Sequence, residues 1–549
     1  MRVLFLYPNL YTQMGFNHGL ASLSAVLKAA GHETSLLNLN ERLPPVPSRG
    51  EIYERVLGSG LVGFSCLSMQ YQEARAIATD LRERAARDGA QLPPLVVGGI
   101  HPTMVPEEVM ADGVWDYVGV GECEHALAEL VRRVEEGERP DDVPNMLAWK
   151  GGVRPNAGTP SDWVRNAVGE FPDVNALPVA DYELFDTQRI VDQKSGWFGI
   201  LTGRGCPYRC TYCLNHKVVD LYREDLGRST SGIGFLRYRD PARVVEELRF
   251  VLERYRNVGT FILDDDLFTM NSEHAIAFAE AYRAAGLETP WVVNSHVERL
   301  DPRVAEALAG ARCRILKLGI EAGSERVRKT ILKRFMTDDD ILETVGVAEA
   351  AGLHTSGFVM VGLPGETVDE RWATVDLLAR LGIGRFRTSM FYPFPGTESH
   401  AYAIAGGWVS EEAAGTLTDF TSTSALDFGP EENLLVAKLA AAMPWFVNAR
   451  LDGPAAARYA GEAERVLAMD RAEWEAFEPE LRARDAELSA AATAAGELHY
   501  AIRYNAFMGV RSDYFLAEEA GLEWTTAAAK PVPAALTSRA LAAAAGEAC

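Results

Sequence analysis

Three of the chain's seven cysteines fall within eight positions, in "LTGRGCPYRCTYCLNH": Cys206, Cys210 and Cys213. Thiolates at Cys-x3-Cys-x2-Cys spacing, on a loop whose glycines and proline let it fold back on itself, can hold a compact metal centre. An iron–sulfur cluster ordinarily takes four thiolates, so three leave one iron open to another ligand. The competing reading is a zinc site completed by a distant residue such as His216. Structural zinc, however, takes four ligands and usually pairs two Cys-x2-Cys knuckles.

The elements around the cysteines say what must position them. They follow the strand-like "FGILTG", and five further strand-like pieces come after: "GTFILDDD", "PWVVNSH", "RILKLGIEAG", "TSGFVMVGLP" and "RFRTSMFYP", with helical stretches such as "PARVVEELRFVLERY" between. Six such units predict a partial parallel barrel, with ligands held beyond the carboxyl ends of its strands. The second strand ends in Asp264, Asp265 and Asp266, three adjacent carboxylates that suit a divalent cation or a solvated strand end. The first 145 residues alternate shorter strands ("RVLFLYP", "LVGFSCLS", "LVVGGIH", "DYVGVGE") with helices, which predicts a parallel sheet covered on both faces. Residues 146–195 are rich in Pro, Gly and Asp and read as a surface linker. Residues 411–549 read as helical and alanine-rich, with no clear strand. The expected fold is therefore α/β: a Rossmann-like domain over 1–145, a linker over 146–195, a partial (β/α)6 barrel over 196–410 and a helical C-terminal domain over 411–549.

The cysteine motif, with aromatic Tyr212 before its last cysteine, resembles that of the radical S-adenosylmethionine enzymes. The likeness extends over roughly residues 195 to 400 through "FILDDDLFT", "LKLGIEAGSERV", "GFVMVGLPGET" and "YPFPGTE". It implies that Cys206, Cys210 and Cys213 ligate a 4Fe–4S cluster, whose open iron takes the amino and carboxyl groups of S-adenosylmethionine. It further implies that Tyr212 meets the adenine through its backbone and that Asp264, Asp265 and Asp266 lie near the methionine amino group. Glu321 and Ser324 would bind ribose or carboxylate, and Gly362 and Glu366 would stand on the adenine-facing loop. An external electron donor such as a flavodoxin or ferredoxin would reduce the cluster. Cys313 lies outside the motif and reads as a small buried residue.

Ahead of such a barrel, the loops of the first domain resemble those of cobalamin-binding domains: Ser65-x-Leu67, then Gly98-Gly99, then Gly119, Gly121 and Glu122. The resemblance implies that Ser65 donates to the displaced dimethylbenzimidazole tail, while Gly98 and Gly99 let the tail pass without a Cβ clash. The Asp-x-His-x-x-Gly element of the fingerprint is absent from "YPNLYTQMGFNHG", and His18 stands too far along to replace it. Cobalamin would then bind base-off. The stretch Ser68, Met69, Gln70, Tyr71 is expected as a loop under the corrin, with Met69, Gln70 or Tyr71 beside the cobalt, and His101 as a loop residue near the tail. A flavodoxin-like domain with no cofactor or a different one is the alternative.

Combined, the two resemblances imply a cobalamin-dependent radical methyltransferase acting on a small molecule, transferring methyl to an unreactive carbon or phosphorus, and an alanine-rich, arginine-over-lysine composition suggests a GC-rich genome, where such enzymes often modify natural products. A cobalamin-binding radical enzyme catalysing rearrangement, cyclisation or oxidation without methyl transfer is the alternative, and a non-catalytic cobalamin or metal sensor is a third class. Methylthiotransferases carry three more cysteines in their first domain, where this chain has only Cys66 and Cys123. In the C-terminal region Trp445, His499, Tyr500, Arg503 and Tyr504 are the aromatic and polar candidates for a substrate site. A formal charge of −23 without clustered Lys and Arg argues against a nucleic-acid partner. No apolar run approaches 18 residues, which argues against a membrane span. The apolar N-terminus has neither a basic flank nor a cleavage site, and an odd number of cysteines fits a reducing cytoplasm.

Overall fold

The computed structural model describes residues 1–10, 15–155, 162–409 and 424–517. The first sheet is built from β1 (Arg2–Tyr7), β2 (Glu33–Asn38), β3 (Leu61–Ser65), β4 (Leu95–Gly98), β5 (Tyr117–Gly119), β6 (Met146–Trp149) and β7 (Trp163–Arg165), in the order β2-β1-β3-β4-β5-β6-β7. The first five are parallel, and β6 and β7 close the edge antiparallel. Its central strands are apolar almost throughout, because helices cover both faces and leave no solvated side for an alternating pattern. The supposed linker thus begins with two strands of this sheet. "MLAW" is fully buried, but its four residues are too few to show against Pro- and Gly-rich neighbours.

A two-residue pair, β9 (Gly203–Arg204) with β10 (Arg237–Tyr238), flanks the cysteine loop. The second sheet contains the six expected parallel strands: β8 (Trp197–Ile200), β11 (Thr260–Leu263), β12 (Trp291–Ser295), β13 (Cys313–Glu321), β14 (His354–Val361) and β15 (Arg385–Met390). Two strands from the C-terminal region extend it. β17 (Met508–Arg511) pairs antiparallel with β15, and β16 (Tyr500–Ile502) pairs with β17. The C-terminal extension is therefore mainly helical, with helices Pro430–Asn448, Pro454–Ala468, Arg471–Phe477 and Leu481–Ala494, but it ends by lengthening the barrel sheet. These strands were invisible to periodicity because they have three and four residues.

Burial alternates along the barrel strands. Phe261, Leu263, Val293, Leu316, Leu318, Ile320, Val359, Val361 and Phe386 pack outward into one helix-covered core. Their neighbours Ile262, Asn294, Lys317, Gly319, Phe358, Met360, Arg387 and Ser389 keep partial solvent exposure on the inner face. Barrel interiors are ordinarily filled by branched aliphatic side chains. Here the inner face mixes apolar with polar and charged side chains and keeps partial exposure.

The two sheets meet through the helix that follows the cysteines, Leu214–Leu226. Val218, Val219 and Tyr222 from it join the core of the first domain. Tyr222 stacks on Phe171 at 3.7 Å, and its hydroxyl accepts from the Glu122 backbone N–H and from Asn145 Nδ2, both at 3.1 Å.

Candidate functional site between the two sheets

A cavity of about 530 Å³ opens where the carboxyl ends of β1, β3, β4 and β5 face those of β8 and β11. Tyr7, Ser65, Leu67, Gln70, Gly98, Gly99, Gly119, Gly121 and Glu122 line it from the first domain, and Arg204, Asn215, Asp264 and Asp266 from the barrel. Strand ends of an open α/β sheet are where such folds hold ligands, because the chain leaves each strand there in loops with unpaired backbone groups.

The first-domain wall suits a bulky, flat ligand. A Cβ built on Gly98 would meet no atom closer than 3.9 Å. Gly99 has φ +103°, and its Cβ would lie 2.8 Å from the Cys66 carbonyl oxygen, so only glycine lets the chain turn here. The Ser65 hydroxyl accepts from Asn17 Nδ2 at 3.2 Å and keeps its own proton to donate.

Residues Ser68 to Tyr71 are not a loop. They form the first turn of helix Ser68–Asp88. The Gln70 side chain accepts from the Leu67 N–H at 3.0 Å and donates to Asn9 Oδ1 at 3.3 Å, which pins it at the cavity wall. Tyr71 is turned into the core, where its hydroxyl bonds Asp112 and accepts from Trp115 Nε1. His101 sits in the short helix Ile100–Met104, 4.3 Å from the Tyr71 ring and 3.2 Å from Ser68 Oγ, and burial lowers its pKa to about 4. Of the four residues, Gln70 alone lines the cavity, while Met69 is half-buried on the same turn.

The cysteines stand next to the barrel wall, between its lining residues Gly205 and Leu214. Cys206, Cys210 and Cys213 occupy an irregular loop between β9 and helix Leu214–Leu226. Thr211 anchors it: its N–H donates to Leu332 O at 3.2 Å and its hydroxyl to Ile331 O at 2.7 Å. Burial pushes the Cys206 thiol up to about 11 and the Cys213 thiol up to about 12, with Asp266 and then Cys210 raising both further. A metal centre is what would hold them as thiolates. Among the described residues no three His, Cys, Asp or Glu side chains stand close enough to share a single ion. His216, the candidate zinc ligand, directs Nδ1 at the Cys210 carbonyl, 3.1 Å away. Arg334 Nη1 lies 3.4 Å from Cys210 Sγ and Nη2 donates to Gly319 O at 2.6 Å. A buried guanidinium beside a sulfur is the environment an anionic thiolate cluster favours. The donor set thus fits a three-cysteine iron–sulfur cluster.

The remaining predicted residues divide. Asp264, Asp265 and Asp266 diverge and do not form a cation site. Asp264 Oδ2 stands 3.2 Å from His18 Nε2 across the cavity. Asp265 is buried, accepts from the Thr202 N–H at 2.6 Å and from its hydroxyl, and has its pKa raised by burial to about 6. Asp266 is raised by burial and lies beside Asn215 and the Gly205 backbone. Glu321 adopts φ +70° at the end of β13, a conformation side chains other than glycine avoid, and accepts from Tyr212 Oη at 2.9 Å. The motif tyrosine thereby ties the cysteine loop to the fourth barrel strand. Ser324 donates to Glu370 Oε1 at 2.8 Å, which braces the loop. Gly362 has φ +73°. Burial raises Glu366 to about 7, and its Oε1 is buried without a hydrogen bond.

Glu122 lines the cavity and also pairs across the domains, and the substrate-site expectation for the C-terminal region is corrected. Glu122 is an electrostatic tie across the domains: Arg204 reaches it at 2.6 Å and Arg237 binds it through both terminal nitrogens. Burial opposes its charge, but the Arg237 and Arg204 contacts hold its carboxyl below the usual range. Trp445, His499 and Tyr500 are fully buried packing residues: Trp445 Nε1 donates to Asp485 at 2.8 Å, His499 Nε2 pairs with Ser489 Oγ at 2.8 Å and Tyr500 Oη donates to Ile383 O at 2.6 Å. Arg503 and Tyr504 lie in the turn between β16 and β17, with Tyr504 exposed. Sequence reasoning missed Arg204, Arg237, Arg334 and the His18–Asp264 contact. Arg204 stands in the noted "GRGC", whereas Arg334 in "LKRFM" carried no signal.

The fold and site define a protein that couples a cobalamin pocket to a radical S-adenosylmethionine barrel. Comparison with known proteins agrees. Residues 200–378 match the radical SAM superfamily model and residues 11–131 the B12 binding domain model. An uncharacterized methyltransferase of Pyrococcus horikoshii is 28% identical over 312 residues, 57% of this chain and 63% of that protein. The anaerobic magnesium-protoporphyrin IX monomethyl ester cyclase of Rubrivivax gelatinosus is 24% identical over 72% of this chain and 68% of its own length. The solved structure of the radical S-adenosylmethionine methyltransferase TsrM from Kitasatospora setae, with cobalamin and a [4Fe-4S] cluster bound, shares the fold at TM-score 0.58 and 19% identity, covering 90% of this chain and 99% of TsrM. The chain thus carries a B12-binding domain followed by a radical SAM domain. It spans less than two thirds of the length of the Pyrococcus relative. Among the described residues no helix is long and apolar enough to cross a membrane.

Proposed function

We propose that the protein is a cobalamin-dependent radical S-adenosylmethionine methyltransferase, acting on an unreactive carbon or phosphorus of a small-molecule, natural-product substrate in the cytoplasm, with a flavodoxin or ferredoxin as electron donor. The observation that supports this reading is the shared cavity, into which the glycine-lined strand ends of one sheet and the loop region of the other both open, with Glu122 locking the join through Arg204 and Arg237. When bound, the cluster with S-adenosylmethionine supplies hydrogen abstraction and the corrin supplies the methyl group. The chain's residues then have separable tasks. Cys206, Cys210 and Cys213 hold the cluster, and Arg334 and Thr211 keep their loop in place. Ser65, Gly98 and Gly99 would seat the tail of a base-off corrin, and Gln70, which lines the same cavity from the helix start, would stand beside it. Glu321, Ser324, Gly362 and Glu366 form the cofactor end of the barrel, with Glu321 oriented by Tyr212.

A second reading, ring closure or oxidation without methyl transfer, is supported by the cyclase relative, which aligns over more of this chain than the Pyrococcus methyltransferase does. The deciding experiment is an anaerobic incubation of reconstituted protein with S-adenosylmethionine bearing a deuterated methyl group, cobalamin, reductant and candidate substrates. A product heavier by one trideuteriomethyl group establishes methyl transfer. An unmethylated product alongside 5′-deoxyadenosine establishes the second reading, and no 5′-deoxyadenosine at all overturns both.

A further inference from the structure

The inner face of the barrel holds positive charge that the described residues do not answer. The strand register sets Asn294, Lys317, Ser356 and Arg385 in one row across β12, β13, β14 and β15, and Gly319, Phe358 and Arg387 in the next. Lys317 makes no hydrogen bond or ion pair among the described residues. Arg387 makes none either, and its guanidinium lies 4.8 Å over the Phe507 ring. Both side chains belong to the partly exposed inner positions, so a ligand in the lumen can reach them. Lys194 adds a third cation from the chain entering β8. The carboxylate within reach of Lys317 and Lys194 is Asp264, which already faces His18. Ile262, Phe358 and Met360 give the same lumen an apolar lining, and Ser389 a hydroxyl.

Two cations without an ion-pair partner among the described residues repel each other and lose hydration in a confined space, and Asp264 offsets only part of that cost. Burial, and then Lys194, Arg387 and Arg385 against the opposing pull of Asp264, bring the Lys317 ammonium down to about 8. The missing component is an anion.

Resting on the function proposed above, we infer that the substrate carries an anionic group, a carboxylate or a phosphorus oxyanion, which Lys317 and Arg387 hold inside the barrel, with the apolar part of the molecule against Phe358 and Met360. The site lies below the cofactor end of the barrel, since Lys317 precedes Glu321 by four residues on β13, a rise of about 13 Å along a strand. The anion thus anchors the substrate at depth and leaves its far end toward the cavity where the two sheets meet.

The test is direct binding to anaerobically reconstituted protein. Benzoate and phenylphosphonate are the probes and benzyl alcohol the uncharged control, measured by calorimetric titration. The wild type should bind one or both anions saturably, with an affinity that falls as salt rises, and should bind the alcohol at least about tenfold more weakly. Lys317→Met and Arg387→Met should each weaken the anions by about tenfold or more, and Lys317→Arg should retain them. Lys317→Met should also raise the melting temperature of the protein without added probe, an effect that a merely structural lysine would not give. Equal binding of anion and alcohol overturns the inference, as does the absence of saturable anion binding by the wild type, or unchanged binding by both Met variants. If either Met variant stops 5′-deoxyadenosine formation in the absence of probe, the anion is the cofactor's own carboxylate and the substrate assignment falls. Anion binding without any methylated product, in contrast, would sink the methyltransferase reading and leave the anion site standing.

Discussion

The two sheets present the same end to one cavity but differ in what they do with their faces. The first sheet buries both, so its strands β1, β3 and β4 are apolar except at their ends, and a ligand can reach only their tips. The barrel sheet buries one, so its strands alternate and a ligand can enter between them. Under the proposed function, the first sheet would hold a bulky cofactor by its loops alone, as a rigid base, whereas the barrel would offer the substrate control on several sides. The two halves then have to be fixed in distance, and the Glu122 tie to Arg204 and Arg237 does this beside the cysteine loop.

The largest effect should come from the barrel half alone. Replacing Cys206, Cys210 and Cys213 with Ala should abolish the visible absorption of the reconstituted cluster and all S-adenosylmethionine cleavage, while cobalamin still binds. Retained cleavage would show that the loop is not the metal site.

Next comes the join. Glu122→Gln leaves Arg237 without its counter-charge, while Arg204 keeps its ion pair with the buried Glu124 at 2.7 Å, a loss of about 2 kcal/mol. Chemical denaturation should register that destabilisation. Methyl transfer should fall more than S-adenosylmethionine cleavage, because spacing between the halves suffers before either half does. Equal losses in both activities would mean that Glu122 supports only folding.

A smaller effect, confined to the first domain, is expected from Gln70→His. The variant gives up the capping bond to the Leu67 N–H, worth about 1 kcal/mol. It also offers an imidazole nitrogen at the cavity wall. Electron paramagnetic resonance of cob(II)alamin should gain nitrogen splitting on its axial lines, and 5′-deoxyadenosine formation at the cluster should persist. A nitrogen pattern already present in the wild type would point to His18, which lines the same cavity.

The smallest effect concerns Glu366. Burial holds its proton, raising its pKa from 4.5 to about 7. The folded state then binds more protons than the unfolded one between those values, so this group's contribution is greatest below pH 4.5 and is lost as pH rises through 7. Glu366→Gln should flatten that fall in melting temperature and leave the protein at least as stable at pH 8, because Oε1 has no hydrogen bond to lose. An unchanged pH slope would mean that the carboxyl is ionised throughout.

Much of this protein is written locally. The cysteine spacing, the six barrel strands and the glycine pair after β4 each depend on residues within a few positions of one another, and so they are visible in a single sequence. Periodicity also marks which barrel residues face the helices, since an alternating strand must bury one side. What it cannot give is a partner far along the chain. Arg204 finds Glu122 across 82 positions, Arg334 finds Cys210 across 124, and His18 finds Asp264 across 246. Strand elements as short as β6, β16 and β17 acquire their conformation from the sheet they join, which is why a linker and a helical tail each concealed two strands. The same limit misplaced Trp445 and Tyr500, because an aromatic residue with a polar atom reads alike in a binding site and in a core where Asp485 or the Ile383 carbonyl satisfies it. The sequence by itself determined the metal-binding chemistry and the two strand patterns, because bonding spacing and side-chain alternation are short-range. Tertiary structure alone decided that both patterns open on one cavity, that an arginine–glutamate tie joins them, and that Lys317 and Arg387 share the inner face of the barrel sheet in successive rows, because charge and distance between remote segments exist only once the chain has folded.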